Sequence, residues 1–321
     1  MRTWLHSYPN SFFRLTRKCY LPAPSGRRVG HSRPAATERI EGNASPAGMP
    51  EESCIYKATV AYDGTAYKGF QLQNQSDSRK ITIQGEIEAC LVRMFQVDRR
   101  DLRVQGAGRT DSGVHARGQV VSFCTSRRET ETIWKSMNRL LPRDIRIVDL
   151  AEAPHTFNAR HSSTGKIYAY TLDIGPIHDP FMLRHSQHVW RPVSVQAMRA
   201  AAERFVGWHN FCNFANTFPD EVDPCKEIRR LVVTEVAPHL IRLEVEGSGF
   251  LYKMVRHMVG ALVAVGTGLM DASAITDILD MGSTRLPGDR RREWVVAEAQ
   301  GLVLEKVLYA EDAESAAIKP N

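Results

Sequence analysis

The stretch with the clearest chemical content is Gly106-Ala107-Gly108-Arg109-Thr110-Asp111-Ser112-Gly113-Val114-His115. Three glycines within eight residues allow positive φ and a close approach of backbone to a ligand. Between them Arg109 and Asp111 stand two residues apart. A phosphate loop is excluded, because G-x-x-x-x-G-K-[ST] needs a lysine after the glycines and none follows. Asp111-Ser112-Gly113 has the form of an aspartic protease site, which requires two carboxylates sharing a proton. No second D-[ST]-G occurs, and Arg109 and His115 are too polar for such a pocket. The remaining chemistry is a lone aspartate acting as nucleophile or base beside an arginine that keeps it ionised. His115, His209 and Cys212 fit no metal spacing, and none of the six cysteines forms a C-x-x-C pair, so no metal is expected.

The elements around this loop follow from periodicity. Residues 55–62 alternate as a strand ending at the Asp63-Gly64 turn signal, and Ile83, Ile87, Leu91 and Met94/Phe95 predict a helix over 83–97. Strands are expected at 119–124 and 145–150, with a helix at 131–141 between them. A second series then predicts a strand at 166–173 and a helix at 194–206. A strand pair at 228–236 and 239–247, an apolar helix over 250–266 and a last strand at 302–309 complete it. Strands and helices mix without strict βαβ alternation, so the class is α+β. The boundaries are a leader at 1–53, an N-terminal half at 54–164 carrying the Asp111 loop, a C-terminal half at 165–310 and a polar tail at 311–321.

The first 37 residues hold seven Lys/Arg and no acid, and lack a 7–15-residue apolar core. That pattern matches an organellar transit peptide better than a secretory signal; arginine favours the mitochondrion over the plastid. A disordered basic arm that touches RNA, in a cytoplasmic or nuclear protein, is the alternative. Residues 1–50 carry eight Lys/Arg and two Asp/Glu, the whole net excess of six positive charges in the chain, so 51–321 balance at 34 of each sign. The pI of about 9.0 therefore reports the leader. Further on, seven arginines stand against two aspartates between Arg99 and Arg128, and Arg285, Arg290, Arg291 and Arg292 make a second cluster. The longest uncharged apolar run, 258–270, has 13 residues, well short of the ~20 that cross a bilayer, and no membrane partner is expected.

The motif Gly106–Phe123, GAGRTDSGVHARGQVVSF, resembles the active-site motif of the TruA family of tRNA pseudouridine synthases. Satellite segments occur in the family's order. They are Tyr62-Asp63-Gly64-Thr65 with Lys68-Gly69-Phe70-Gln71, Ile83-Gln84-Gly85-Glu86, Phe157-Asn158-Ala159-Arg160, Tyr168-Ala169-Tyr170, Phe250 to Arg256 with Val259-Gly260, and Ala297-x-Ala299-x-Gly301-Leu302. Phe70 replaces a frequent Trp, Lys166 a usual Arg, and Phe211-Cys212-Asn213-Phe214 departs from the usual segment.

The resemblance implies a pseudouridine synthase fold of two related α+β halves, with an antiparallel or mixed sheet and a central basic cleft. It implies that Asp111 is the nucleophile or base that detaches uracil from its ribose, the base being rejoined through carbon 5 without metal or cofactor. Tyr168 would stack on the target base and serve in proton transfer, Arg256 would pair with Asp111, and Arg109 would reach the RNA backbone or position the flipped nucleotide. The implied partner is tRNA, gripped by a homodimer at the anticodon arm with uridines 38–40 as targets. The rival is a non-catalytic organellar RNA-binding or assembly factor that kept the fold; a hydrolase using Asp111 is more remote.

Overall fold

Strand β1 (Ser53–Tyr62) alternates half-buried and buried side chains along its ten residues, because successive strand side chains point to opposite faces and one face here meets a helical layer. Next come α1 (Ile83–Phe95), β2 (Gln105–Gly106), β3 (His115–Ser126), α2 (Thr130–Leu140) and β4 (Ile145–Ala153). The second series is β5 (Gly165–Asp173), β6 (Gln187–His188), α3 (Val195–Ala202), β7 (Gly207–Asn210), β8 (Cys225–Ala237), β9 (Leu240–Gly247), α4 (Met254–Gly266), α5 (Ala272–Asp280) and β10 (Leu302–Leu308). This computed structural model describes residues 53–71, 81–216, 222–282 and 293–312. Residues 1–52 of the expected leader and the arginine cluster at 285–292 lie outside the described residues.

One sheet runs in the order β4-β1-β3-β10-β5-β9-β8-β7, with β2 on β3 and β6 on β5. Neighbours along this path are antiparallel except β3 and β10, which are parallel. The class is therefore α+β, as expected. The last strand of the chain lies between the first and second series, so the sheet is continuous across the 164/165 boundary. Leu304 of β10 pairs with Ala116 of β3 on one side and with Tyr168 of β5 on the other. That cross-strand row brings the end of the Asp111 loop next to Tyr168.

Helices cover one face. α2 packs on β4, and α3 packs on β8 and α4. α1 starts where expected because the Thr82 hydroxyl accepts from the Gly85 N–H, satisfying one of the orphan donors of the first turn. Its Ile83, Ile87 and Leu91 are buried at 3.6-residue spacing. The opposite face carries charge, with Arg117, Arg230 and Arg242 paired to Glu244 and Glu305. An antiparallel sheet with one solvated face accommodates such pairs.

Three details differ from expectation. The apolar helix begins at Met254 rather than Phe250, because Lys253 takes a left-handed conformation (φ 61°) that interrupts the turn before it. α5 has no counterpart in the sequence reading, although Ile275, Ile278 and Leu279 have helical spacing. At the C-terminal end, expected as a tail, Glu311 pairs with Lys57, and Asp312 accepts from the Tyr309 N–H at 2.9 Å.

Candidate active site

The Gly106–His115 loop is held by backbone and hydroxyl contacts from the segments that accompany it in sequence. Ala107 N–H donates to the Val120 carbonyl at 2.8 Å, and the Gln119 side-chain amide donates to the Gly108 carbonyl at 2.8 Å. The Phe70 N–H donates to the Thr110 carbonyl at 3.1 Å, and the Ser112 hydroxyl to the Tyr67 carbonyl at 3.1 Å. Tyr62 and Thr110 share a 2.8 Å hydroxyl contact. Gly69 (φ +93°) lies so close that a Cβ would sit 2.7 Å from the Thr110 oxygen, and Gly113 (φ +79°) turns the chain back after Asp111. The segment 62–71 is therefore the cradle of the loop.

At the loop's exit, His115 is 3% exposed; its Nδ1 faces the Gly64 N–H at 3.0 Å and its Nε2 the Gln300 carbonyl at 3.1 Å. Burial pushes this imidazole below the usual histidine range, with Asp63 opposing the shift. His115, His209 and Cys212 are not gathered into one site. His209 contacts the Val206 carbonyl and Cys212 the Gly282 carbonyl. Among the described residues no cluster of His, Cys, Asp and Glu is placed to hold a metal ion.

Asp111 meets Arg256, which is 145 residues away in sequence, at 3.0 Å, and both side chains are largely withdrawn from solvent. The guanidinium is itself fixed: its Nε–H donates to the Ala297 carbonyl at 2.7 Å, while the Ala297 N–H donates to the Arg256 carbonyl at 3.1 Å. Starting α4 at Met254 places Arg256 in the first turn. The arginine beside the aspartate in sequence is not its partner in space. Arg109 is exposed and its side chain makes no hydrogen bond or ion pair among the described residues, so the charge that holds the carboxylate comes from α4.

Tyr168 is 6% exposed and stands edge-on to Phe250, with ring centroids 5.2 Å apart at 86°. Burial, then the neighbouring Tyr62 and Asp111, push its phenol well above the ordinary range, so it stays protonated at neutral pH. The hydroxyl of the second tyrosine of the pair, Tyr170, lies 2.7 Å from Gln187 Oε1 and 2.8 Å from the Glu298 carbonyl oxygen, with one proton to donate between them. It ties β5 to the segment that clamps Arg256. Ala297 and Phe250 escaped the residue-level reading because a main-chain clamp and a ring edge carry no type-specific signal. Their motif membership was the only sequence trace. The result is a carboxylate fixed by a guanidinium beside a neutral phenol, a pairing able to promote bond cleavage and to move a proton.

The sequence profile described as tRNA pseudouridine synthase matches residues 58–161 and 201–310. The chain belongs to the TruA family of tRNA pseudouridine synthases. It is 38% identical over 257 residues to tRNA pseudouridine synthase A 2 of Bacillus cereus, which covers 79% of this chain and 99% of that protein. It is 37% identical over 258 residues to tRNA pseudouridine synthase A of Latilactobacillus sakei, covering 79% and 98%. The corresponding protein of Methylacidiphilum infernorum is 35% identical over 262 residues, covering 81% and 97%. These matches span the folded region and both series of elements.

Proposed function

We propose that this protein isomerises uridine to pseudouridine in tRNA. The C1′–N1 bond breaks, a C1′–C5 bond forms, C5 loses its proton and N1 regains one, so no external reactant is consumed. The observation that carries the reading is Asp111 on its glycine loop, held by Arg256 at 3.0 Å, beside the buried phenol of Tyr168. Asp111 promotes detachment of uracil from the ribose. Tyr168 stacks on the base and takes part in the proton transfer, Arg256 orients the carboxylate, and Arg109 contacts the RNA. Uridine within a stacked stem must be extruded first, at a cost of about a few kcal/mol, and phosphate and stacking contacts offset that cost. The finer parts of the proposal are the anticodon arm at positions 38–40 as target, a homodimer as the working form, and the mitochondrion as location.

The test is incubation of the protein with tRNA and mapping of pseudouridine by carbodiimide-stop sequencing, wild type beside Asp111→Ala. Wild type is expected to modify a uridine of the anticodon arm and the variant none. RNA retention with no product from either would support the non-catalytic binder. Activity surviving in Asp111→Ala would remove the site assignment alone. Sedimentation of the protein tests the dimer. A fusion of residues 1–50 to a fluorescent protein tests the location, and a diffuse cytosolic signal would end that part.

A further inference from the structure

The turn at Gly64, the exit of the Asp111 loop and the segment that clamps Arg256 meet at one imidazole, that of His115. This residue opens β3, and its backbone lies opposite Val303 of β10. The reaction proposed above gives it no part. Its Nδ1 receives the Gly64 N–H at 3.0 Å. A donor needs a lone pair, so the single proton of the neutral ring sits on Nε2. That Nε2–H donates to the Gln300 carbonyl at 3.1 Å.

Both partners lead to the site. Gly64 is packed so tightly on the loop that a Cβ there would strike the Val114 carbonyl. The Val114 N–H in turn donates to the Asp111 carbonyl at 3.1 Å. On the other side, Gln300 follows Ala297, which exchanges two hydrogen bonds with Arg256. The short run from Ala297 to Gly301 is itself fixed: Gln187 accepts from the Glu298 N–H, and the Gly301 carbonyl accepts from Thr171. A Cβ on Gly113 would stand 3.3 Å from that of Ala299. The His115 ring therefore joins the piece that carries the carboxylate to the piece that fixes its guanidinium.

The groups facing the ring come from three places. Asp63 Oδ1, beside Gly64, is 3.1 Å from Nδ1; His185 and the Arg184 main chain approach from the segment before β6, the two histidine rings 4.8 Å apart; Gln300 precedes β10. Burial first, and His185, oppose a second proton, while Asp63 and the Arg184 and Gln300 main chains favour it; the ring titrates below the usual histidine range. A proton added at Nδ1 would set two N–H groups against each other at Gly64 and draw the ring to Asp63 instead. Neutral His115 holds Gly64; charged His115 lets it go.

We infer that His115, as the neutral Nε2–H tautomer, is a positioning residue that locks the Asp111 loop to the Arg256 clamp, and that its protonation releases Gly64 and misaligns the carboxylate. This rests on the isomerase reading above. His115 acts through these two main chains and gives no proton to the uridine.

The experiment uses the full chain and transcribed tRNA, with wild type, His115→Leu and His115→Gln. Glutamine places an amide N–H near the Nε2 position and cannot titrate, whereas leucine makes neither hydrogen bond. The dissociation constant and the single-turnover rate at saturating enzyme are measured from about pH 5 to 8, where histidine changes charge. His115→Leu should lower the saturating rate about 10–100-fold, as misplacing a catalytic group does, with affinity unchanged. His115→Gln should recover most of that rate. Wild type should slow towards pH 5 along a limb that His115→Gln lacks. Histidine 15N spectra of wild type, with the His115 signal assigned by its absence in His115→Gln, should show a protonated Nε2 and a bare Nδ1 at neutral pH. The Arg256 Nε–H signal, assigned by its absence in Arg256→Met, should move as wild type is acidified and stay in place in His115→Gln. Should His115→Leu melt far below wild type, the spectra and the His115→Gln profile decide alone. A protonated Nδ1 at neutral pH overturns the proposal. So does an acid limb kept in His115→Gln, a His115→Gln no faster than a folded His115→Leu, or a loss confined to affinity. If wild type forms no pseudouridine while the tautomer and the Arg256 signal behave as stated, the isomerase reading fails and the joint stands. If it forms pseudouridine but the Arg256 signal ignores His115, the joint alone falls.

Discussion

Replacing Arg256 with methionine removes the charge that faces Asp111 while roughly keeping the length of the side chain. At 3.0 Å the Coulomb attraction is about 5–6 kcal/mol for an effective dielectric of about 20, and desolvation of both groups offsets much of it. Truncating one partner of a buried pair costs about 3–5 kcal/mol. Asp111 and Arg256 keep 19% and 13% of their side-chain surface exposed, which places the cost at the lower end, about 3 kcal/mol. Loss of the Nε–H to the Ala297 carbonyl adds about 1 kcal/mol. For a folded region of this size, each kcal/mol shifts the melting temperature by about 2–4 °C, so Arg256→Met should melt about 8–16 °C lower. The decisive assay is a urea-unfolding cycle of wild type, Asp111→Asn, Arg256→Met and the double variant. The double variant should recover about 2–3 kcal/mol relative to the sum of the single changes, since it no longer strands a carboxylate. The saturating single-turnover rate of Arg256→Met should fall about 100-fold through loss of carboxylate orientation, with tRNA affinity nearly unchanged because the buried guanidinium faces Asp111. Additivity of the single changes within about 0.5 kcal/mol would refute the energetic coupling, and an unchanged rate would refute the positioning role.

Two further outcomes follow from the tyrosines. Tyr168→Phe should keep the stacking surface and bind tRNA as wild type does but turn over more slowly, whereas Tyr168→Leu should lose both; binding and single-turnover measurements on the pair separate the hydroxyl from the ring. At alkaline pH, the Tyr62 phenol is pushed up to about 12 by burial, against the opposing hydrogen bonds of Thr110 and Gln119. Its folded value exceeds its unfolded value, so its stabilising effect is complete below pH 10 and is lost as pH rises towards 12. That loss amounts to about 2–3 kcal/mol. Urea midpoints should therefore fall steeply between pH 10 and 12. In Tyr62→Phe the fall over that interval should be shallower, and an identical pH profile would show that the phenol is ionised freely in the folded state.

Most regular elements were legible because their signals are local. The alternation of β1, the Thr82 cap with Ile83, Ile87 and Leu91 in α1, and the apolar run of α4 each lie within about fifteen residues. What escaped was short or non-periodic: β2 and β6 have two residues each, too few to show a period. The left-handed Lys253 that delays α4 leaves no mark in hydrophobic spacing.

The residues of the site were also named from sequence, but not all of their relations. A glycine-bracketed Asp111 with Arg109 nearby implied a carboxylate kept ionised by a cation, and residue types settle that much because charge and glycine freedom are properties of single positions. Which cation does so was decided by the fold. Strand β10, last in the chain, enters between β3 and β5 and sets Ala116, Leu304 and Tyr168 in one row, while the start of α4 carries Arg256 to Asp111. These contacts join residues more than a hundred positions apart, and a periodic pattern contains nothing about such distances. Tertiary packing alone determined that Arg256, and not Arg109, pairs with the Asp111 carboxylate.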